Sequence, residues 1–328
     1  MRSFRSPAYF FILCLLGIFG CGTAAAQKAE SPGLHSETLA VESAEREFSY
    51  YIPSEPTGGL LPIVIYLHGH GDSMRHILGT GRIKSASSVW VDVAEREGFM
   101  VMYPLGLKGG GRRPKTGWND CRPGLEGNPQ SDDIAFIRHL IDYAVEQHNG
   151  DRSRVYVTGM SNGGHMTMRA GMEMTDALAA IAPLVALLPK THDCKPPTTP
   201  IAVLLMYGTD DPLAPFEGGA MAGGRGEVFS ARETTMAWTA WNGLENVKET
   251  TVELADKNSA DGSTVVAHIR ETSPAGPAVI AYEMRGAGHT EPSKVAQMGR
   301  LLRRIQGNRN QDIEMAETIW AFFKTRSR

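Results

Sequence analysis

The chain has 328 residues, 42% of them apolar, and a formal net charge of −3 from 33 basic and 36 acidic side chains. That apolar share is enough for a sizeable core and excludes a disordered chain. The near balance of charge gives no basic excess that would argue for nucleic acid as a partner.

Arg2 and Arg5 precede an almost unbroken apolar run from Ala8 to Phe19, followed by small residues. The run is too short to span a bilayer comfortably and has the layout of a secretory signal. Residues 1–26 are therefore expected to be a signal peptide cleaved after Ala24-Ala25-Ala26. Ile18-Phe19-Gly20-Cys21 offers a competing lipobox reading with a lipid anchor on Cys21, although Phe19 is an unusual residue there. No later segment is apolar and long enough for a membrane span, so the expected location is secreted or periplasmic. Residues 27–39 are small and polar and read as a linker, and residues 40–328 read as one domain.

Within that domain, residues 47–52 look like an edge strand, and residues 61–67 form a continuous apolar run with β-branched members. Such a run suits a strand covered on both faces of a parallel sheet. It ends in the loop His68-Gly69-His70-Gly71-Asp72-Ser73. Residues 85–97 read as a helix and residues 99–103 as a second buried strand. Gly109-Gly110-Gly111-Arg112-Arg113-Pro114-Lys115 is an irregular loop with a basic tip. Residues 131–149 carry a helical apolar stripe, with Ser131 as the cap and Asp132 and Asp133 as charges of the first turn. Strands follow over residues 154–158, 201–207 and 279–284, and a terminal helix over residues 311–323. Gly218 to Gly226 is glycine-rich and is expected at the rim of a site. Alternating strands and helices predict a mostly parallel sheet with helices on both faces. Of the four cysteines, Cys121 and Cys194 lie outside the signal; an oxidising compartment would allow them to pair, the alternative being two free thiols.

In a parallel sheet, chemistry gathers at the carboxyl ends of the strands. Gly159-Met160-Ser161-Asn162-Gly163 stands where a strand turns sharply into a helix. Such a turn lifts a serine Oγ clear of the backbone at a helix N-terminus. The loop after residue 207 supplies Asp210 and Asp211, and the loop after residue 284 supplies His289. The order Ser, Asp, His is the one used by the α/β-hydrolase fold. A serine hydroxyl needs a base, here His289, and the imidazole needs an acid to fix its tautomer, here Asp211 with Asp210 as the rival. An oxyanion needs two preorganised donors, assigned to the N–H groups of His70 and Asn162. His139, His148 and His165 lie on helical segments and are expected to be structural or solvated, whereas Trp118 could offer substrate an aromatic wall.

The combination resembles the secreted polyhydroxybutyrate depolymerase and feruloyl esterase group of α/β-hydrolases. The matching pieces begin with Tyr66 to Ser73, Trp118-Asn119 and Asp132 to Ile137, and continue with Gly159 to Gly164 and Gly208-Thr209-Asp210-Asp211-Pro212-Leu213-Ala214-Pro215. They end with Gly286-Ala287-Gly288-His289-Thr290 and Ile319 to Phe323. The resemblance implies an α/β-hydrolase catalytic domain, Ser161, Asp211 and His289 as the triad, and no cofactor or metal. It implies an ester substrate: hydroxyalkanoate, short-chain or aromatic feruloyl-type, free or linked to polymer or polysaccharide. Where the group often has His-Thr-Trp-Pro-Gly, this chain has His289-Thr290-Glu291-Pro292-Ser293, and no cysteine follows Trp241-Asn242-Gly243-Leu244. Glu291, Trp118 and His68 are the candidate substrate contacts. Two rivals stand beside this reading. One is a catalytically silent hydrolase fold that binds carbohydrate or protein. The other is a zinc hydrolase using His68, His70 and Asp72, with Ser73 where the motif's last histidine should stand.

Overall fold

Besides Met1, the computed structural model describes residues 31–55, 59–81, 84–296 and 298–328. The expected signal peptide and both of its cleavage sites lie outside the described residues.

The elements in chain order are β1 (Gly33–Val41), β2 (Ala44–Ile52), β3 (Leu61–Leu67), α1 (Met74–Ile77), α2 (Val89–Glu97) and β4 (Met100–Pro104). They continue with α3 (Asp133–His148), β5 (Gly150–Met160), α4 (Asn162–Glu173), β6 (Ala180–Leu184) and β7 (Ala202–Gly208). A short hairpin of β8 (Gly219–Ala220) and β9 (Glu227–Val228) precedes α5 (Ala231–Trp241) and β10 (Thr250–Glu253). The last are β11 (Thr264–Glu271), β12 (Ala278–Arg285), α6 (Arg300–Gln306) and α7 (Met315–Phe323).

Ten strands form one sheet in the order β1-β2-β4-β3-β5-β6-β7-β12-β11-β10. The run from β4 to β12 is parallel, and antiparallel pairs extend it at both edges. The two-residue period of a strand decides which side chain meets which layer. Ile63, Ile65 and Leu67 of β3 pack in the same cluster as Phe136 and Leu140 of α3, Met166 of α4 and Trp238 of α5. Val64 and Tyr66 point the other way, into the cluster that holds Trp90 of α2 and Ile319 and Phe323 of α7. β5 and β7 divide in the same manner, and this is why their sequences are apolar throughout. Pro62 sits where the β3–β5 register shifts, a place that tolerates its missing donor.

Several expectations are corrected. Residues 33–39 of the expected linker belong to β1, paired with β2 along its whole length. β2 is consequently an inner strand and not the edge. The cap of α3 is Asp132, whose carboxylate accepts from Ala135 N–H at 2.9 Å; Ser131 instead donates to Asp133. Asp133 is no solvated charge: it is buried and paired with Arg46 at 2.6 Å, holding α3 to β2. α2 and α7 begin at Val89 and Met315, later than the apolar pattern suggested. The pairing allowed for Cys121 and Cys194 is met: they are joined by a disulfide, with Cα atoms 5.4 Å apart. Among the described residues, no helix is long and apolar enough to cross a membrane.

Candidate active site

The turn from β5 into α4 is built around Ser161, whose φ of 57° and ψ of −115° are rare for a residue with a side chain. The flanking glycines allow it. A Cβ on Gly159 would lie 2.5 Å from the carbonyl oxygen of Leu67, and one on Gly163 would collide with the same oxygen. The turn is thus pressed directly onto the end of β3. Ser161 N–H is tied to Leu184 O at the end of β6, 2.9 Å away.

His289 and Asp211 leave the ends of β12 and β7, adjacent strands in the sheet. His289 Nδ1 donates to Asp211 Oδ2 at 2.7 Å, and both residues are buried. The other carboxylate oxygen, Oδ1, accepts from the N–H groups of Leu213 and Ala214, each at 2.8 Å. Asp210, the rival acid, is exposed and bonded to Thr209. Ser161 and His289 line one cleft of about 550 Å³, together with Gly69, His70 and Glu291. A Cβ on Gly69 would lie 3.9 Å from Ser161 Cβ, so the loop after β3 passes beside the serine. Among the described residues, the N–H groups of His70 and Asn162 have no backbone acceptor. Asn162 opens α4, where N–H groups point out of the helix end.

The Asn162 side chain is clamped. Its Oδ1 accepts from Trp118 N–H at 2.8 Å, and its Nδ2 donates to Asp120 Oδ2 at 2.7 Å. Burial opposes ionisation of Asp120, but the Arg122 guanidinium, 2.5 Å away, holds its carboxyl below the usual range. The Asp120–Arg122 pair went unread in the sequence, where it has no spacing of its own; the disulfide at Cys121 fixes it between the two. The His70 ring is pulled down to a pKa of about 4, by burial first and then by Arg225, Lys115 and Arg122, and is neutral at pH 7.

The three candidate substrate contacts divide. Trp118 and His68 are fully buried and act as scaffold. The indole N–H of Trp118 donates to His68 O at 2.9 Å, while the His68 ring donates from Nδ1 to Gly69 O and accepts at Nε2 from Gly106 N–H. Both nitrogens of His68 are thereby engaged by the backbone, and His68, His70 and Asp72 do not converge as metal ligands among the described residues. Glu291 does line the cleft. Tyr66 OH donates to its Oε1 at 2.5 Å, and burial raises its pKa against the opposing pull of Tyr66 and Arg309. The β8–β9 hairpin brings Met221, Gly223 and Arg225 to the cleft, so the glycine-rich segment is at the rim as expected. Arg112 and Arg113 are exposed and do not line the cleft. A separate hollow of about 420 Å³, between α5 and the β11–β12 side of the sheet, contains neither Ser161 nor His289.

A parallel sheet with a serine turn after β5 and a histidine loop after the last parallel strand is an α/β-hydrolase fold. The family model for phospholipase/carboxylesterase matches residues 55–227, and the chain belongs to that family. It is similar to a putative esterase, NocK, of Nocardia uniformis subsp. tsuyamanensis, 28% identical over 251 residues that cover 73% of this chain and 67% of that one. It is also similar to feruloyl esterase B of Piromyces equi, 27% identical over 49% of this chain and only 29% of the relative. Among solved structures, the acetyl xylan esterase from Aspergillus awamori aligns with a TM-score of 0.54 at 16% identity, covering 83% of this chain and 98% of that one. That alignment speaks for the fold alone.

Proposed function

We propose that the protein is an exported serine carboxylesterase, and the observation that carries the reading is the buried His289–Asp211 pair, whose histidine lines the same cleft as Ser161. Ser161 Oγ attacks the ester carbonyl while His289 takes its proton. Asp211 holds the proton on Nδ1, which leaves the other ring nitrogen free to act as base. The N–H groups of His70 and Asn162 receive the oxyanion, each contributing ~3 kcal/mol to the barrier reduction. The alcohol departs with the proton from His289, and water then attacks the acyl-enzyme by the reverse sequence.

The cleft lining and the names of the relatives support a choice of substrate class. Candidate acyl groups are hydroxyalkanoate, short-chain and aromatic feruloyl-type. Glu291, His76, Lys84 and Arg225 give the cleft a polar wall, which favours an ester carried on a hydroxyl-rich alcohol such as a sugar. The disulfide supports an oxidising, extracytoplasmic location. Hydrolysis of p-nitrophenyl acetate by the wild type and by Ser161→Ala tests the reading, and equal rates would remove the nucleophile. Comparing methyl ferulate with a hydroxybutyrate oligomer then ranks the acyl classes.

A further inference from the structure

Helix α6 has no buried side chain, although three of its seven residues are large and apolar. Leu301 is 71% exposed, Ile305 50% and Leu302 43%, and Val295 just before the helix is 49% exposed. Elsewhere among the described residues, exposed side chains of this size are scattered singly. A rotation of about 100° per residue places Leu301, Ile305 and Leu302 within one arc of about 100°. Arg303, Arg300 and Arg304 occupy the opposite arc, again within about 100°. All three arginines are exposed, and among the described residues no carboxylate pairs with them. From residue 294 to residue 309 the sequence has five basic residues and no acidic one, in a chain of net charge −3.

The position of this helix matters as much as its pattern. Leu302 and Gln306 line the cleft that holds Ser161. The Gln306 carbonyl accepts the His289 N–H at 2.6 Å, and Gly307 turns the chain back with a φ of 85°. An apolar arc, backed on the opposite face by guanidinium groups that no carboxylate pairs among the described residues, therefore stands at the mouth of the cleft.

An apolar helix face has to be buried against something. A neutral polyester surface would satisfy the leucines and leave the arginines without counter-charge. A soluble anion would do the reverse. A bilayer carrying anionic headgroups supplies both: phosphates at the level of the guanidinium groups and an acyl boundary for the leucines a few ångströms deeper. We propose that α6 seats the mouth of the cleft on an anionic phospholipid bilayer. The docking is a property of the surface and goes beyond the ester chemistry inside.

The experiment is co-sedimentation of the full chain with phosphatidylglycerol vesicles and with phosphatidylcholine vesicles, at about 0.1 M salt. The wild type, L301D/I305D, R303E/R304E and the milder Leu301→Ser are compared; the N-terminal apolar run is common to all, so the differences read α6. The wild type is retained on phosphatidylglycerol, each double variant is retained at least about tenfold less, and Leu301→Ser falls between. Turnover of soluble p-nitrophenyl acetate stays at the wild-type rate in every variant and certifies their folding; Leu301→Ser carries the test should a double variant misfold. Equal retention of wild type and variants, or equal retention on both lipids, overturns the proposal. A wild-type dimer that L301D/I305D dissociates, without vesicle binding, also overturns it by giving the face to a second copy of the chain. None of these results touches the Ser161→Ala test.

Discussion

Asp211→Asn separates geometry from proton placement at the site. Asp211 accepts three hydrogen bonds, from the His289 ring at 2.7 Å and from the N–H groups of Leu213 and Ala214 at 2.8 Å. An asparagine fills the same volume but has only one oxygen. Turning its NH₂ towards the two backbone donors would leave both unsatisfied in a buried place, at a cost of about 1–3 kcal/mol each. The oxygen therefore stays on Leu213 and Ala214, and the NH₂ faces His289 Nδ1. His289 must then accept at Nδ1 and carry its proton on the other nitrogen, which can no longer act as base. The expected loss in kcat is about 10⁴-fold, or ~5.4 kcal/mol of barrier. KM for p-nitrophenyl acetate changes little, because Asp211 does not line the cleft. The assay is steady-state hydrolysis of that ester, with a thermal melt to show that the fold is kept. A variant retaining more than about a tenth of the wild-type kcat would refute the assignment of Asp211 and the hydrogen-bond argument behind it.

Further outcomes are expected at three other places. The buried His165 donates from Nδ1 to Ser161 O, and burial, then Arg122, pull its pKa down to about 3. The unfolded chain takes up that proton below about pH 6.5, the folded one does not, so stability falls as pH drops; by about pH 4 the loss is ~3 kcal/mol. Urea unfolding of His165→Asn should lack this component. Glu291 has the opposite sign, since burial raises its folded pKa: its contribution is complete below the unfolded value of 4.5 and disappears as pH rises through the folded one. Glu291→Gln should accordingly gain stability relative to wild type as pH rises above the ordinary glutamate value of 4.5, measured by the same unfolding titration. The Cys121–Cys194 bond closes a loop with a sequence separation of 73 residues. Replacing both cysteines by serine should cost about 4 kcal/mol of stability. It should also lower kcat, because the loop it tethers carries the Asp120–Arg122 pair that clamps Asn162.

The central strands β3, β5 and β7 and the helix α3 were legible in the sequence, because burial on both faces or on one stripe leaves a local pattern that neighbouring residues suffice to display. So was the serine turn, whose glycines are demanded by a contact with Leu67 that no other residue could make. The antiparallel additions β1, β10 and β11 were not, since exposed or half-exposed strands carry a weaker alternation and are held by their partners. β6, α5 and α6 were also missed; α6 has no buried face to give it a core signature.

The chain by itself determined which residues could do chemistry and the order in which the sheet would present them. Only the tertiary structure decided which of them meet. It set Asp211, the acid favoured in the sequence, against His289 and left its neighbour Asp210 exposed. It took Trp118 and His68 away from substrate by closing loops over them, and it joined Glu291 to Tyr66 across 225 residues of sequence. The reason is that side-chain periodicity reports how deeply a segment is buried. Who stands opposite is set by the order of strands in the sheet and by the loops that leave their ends.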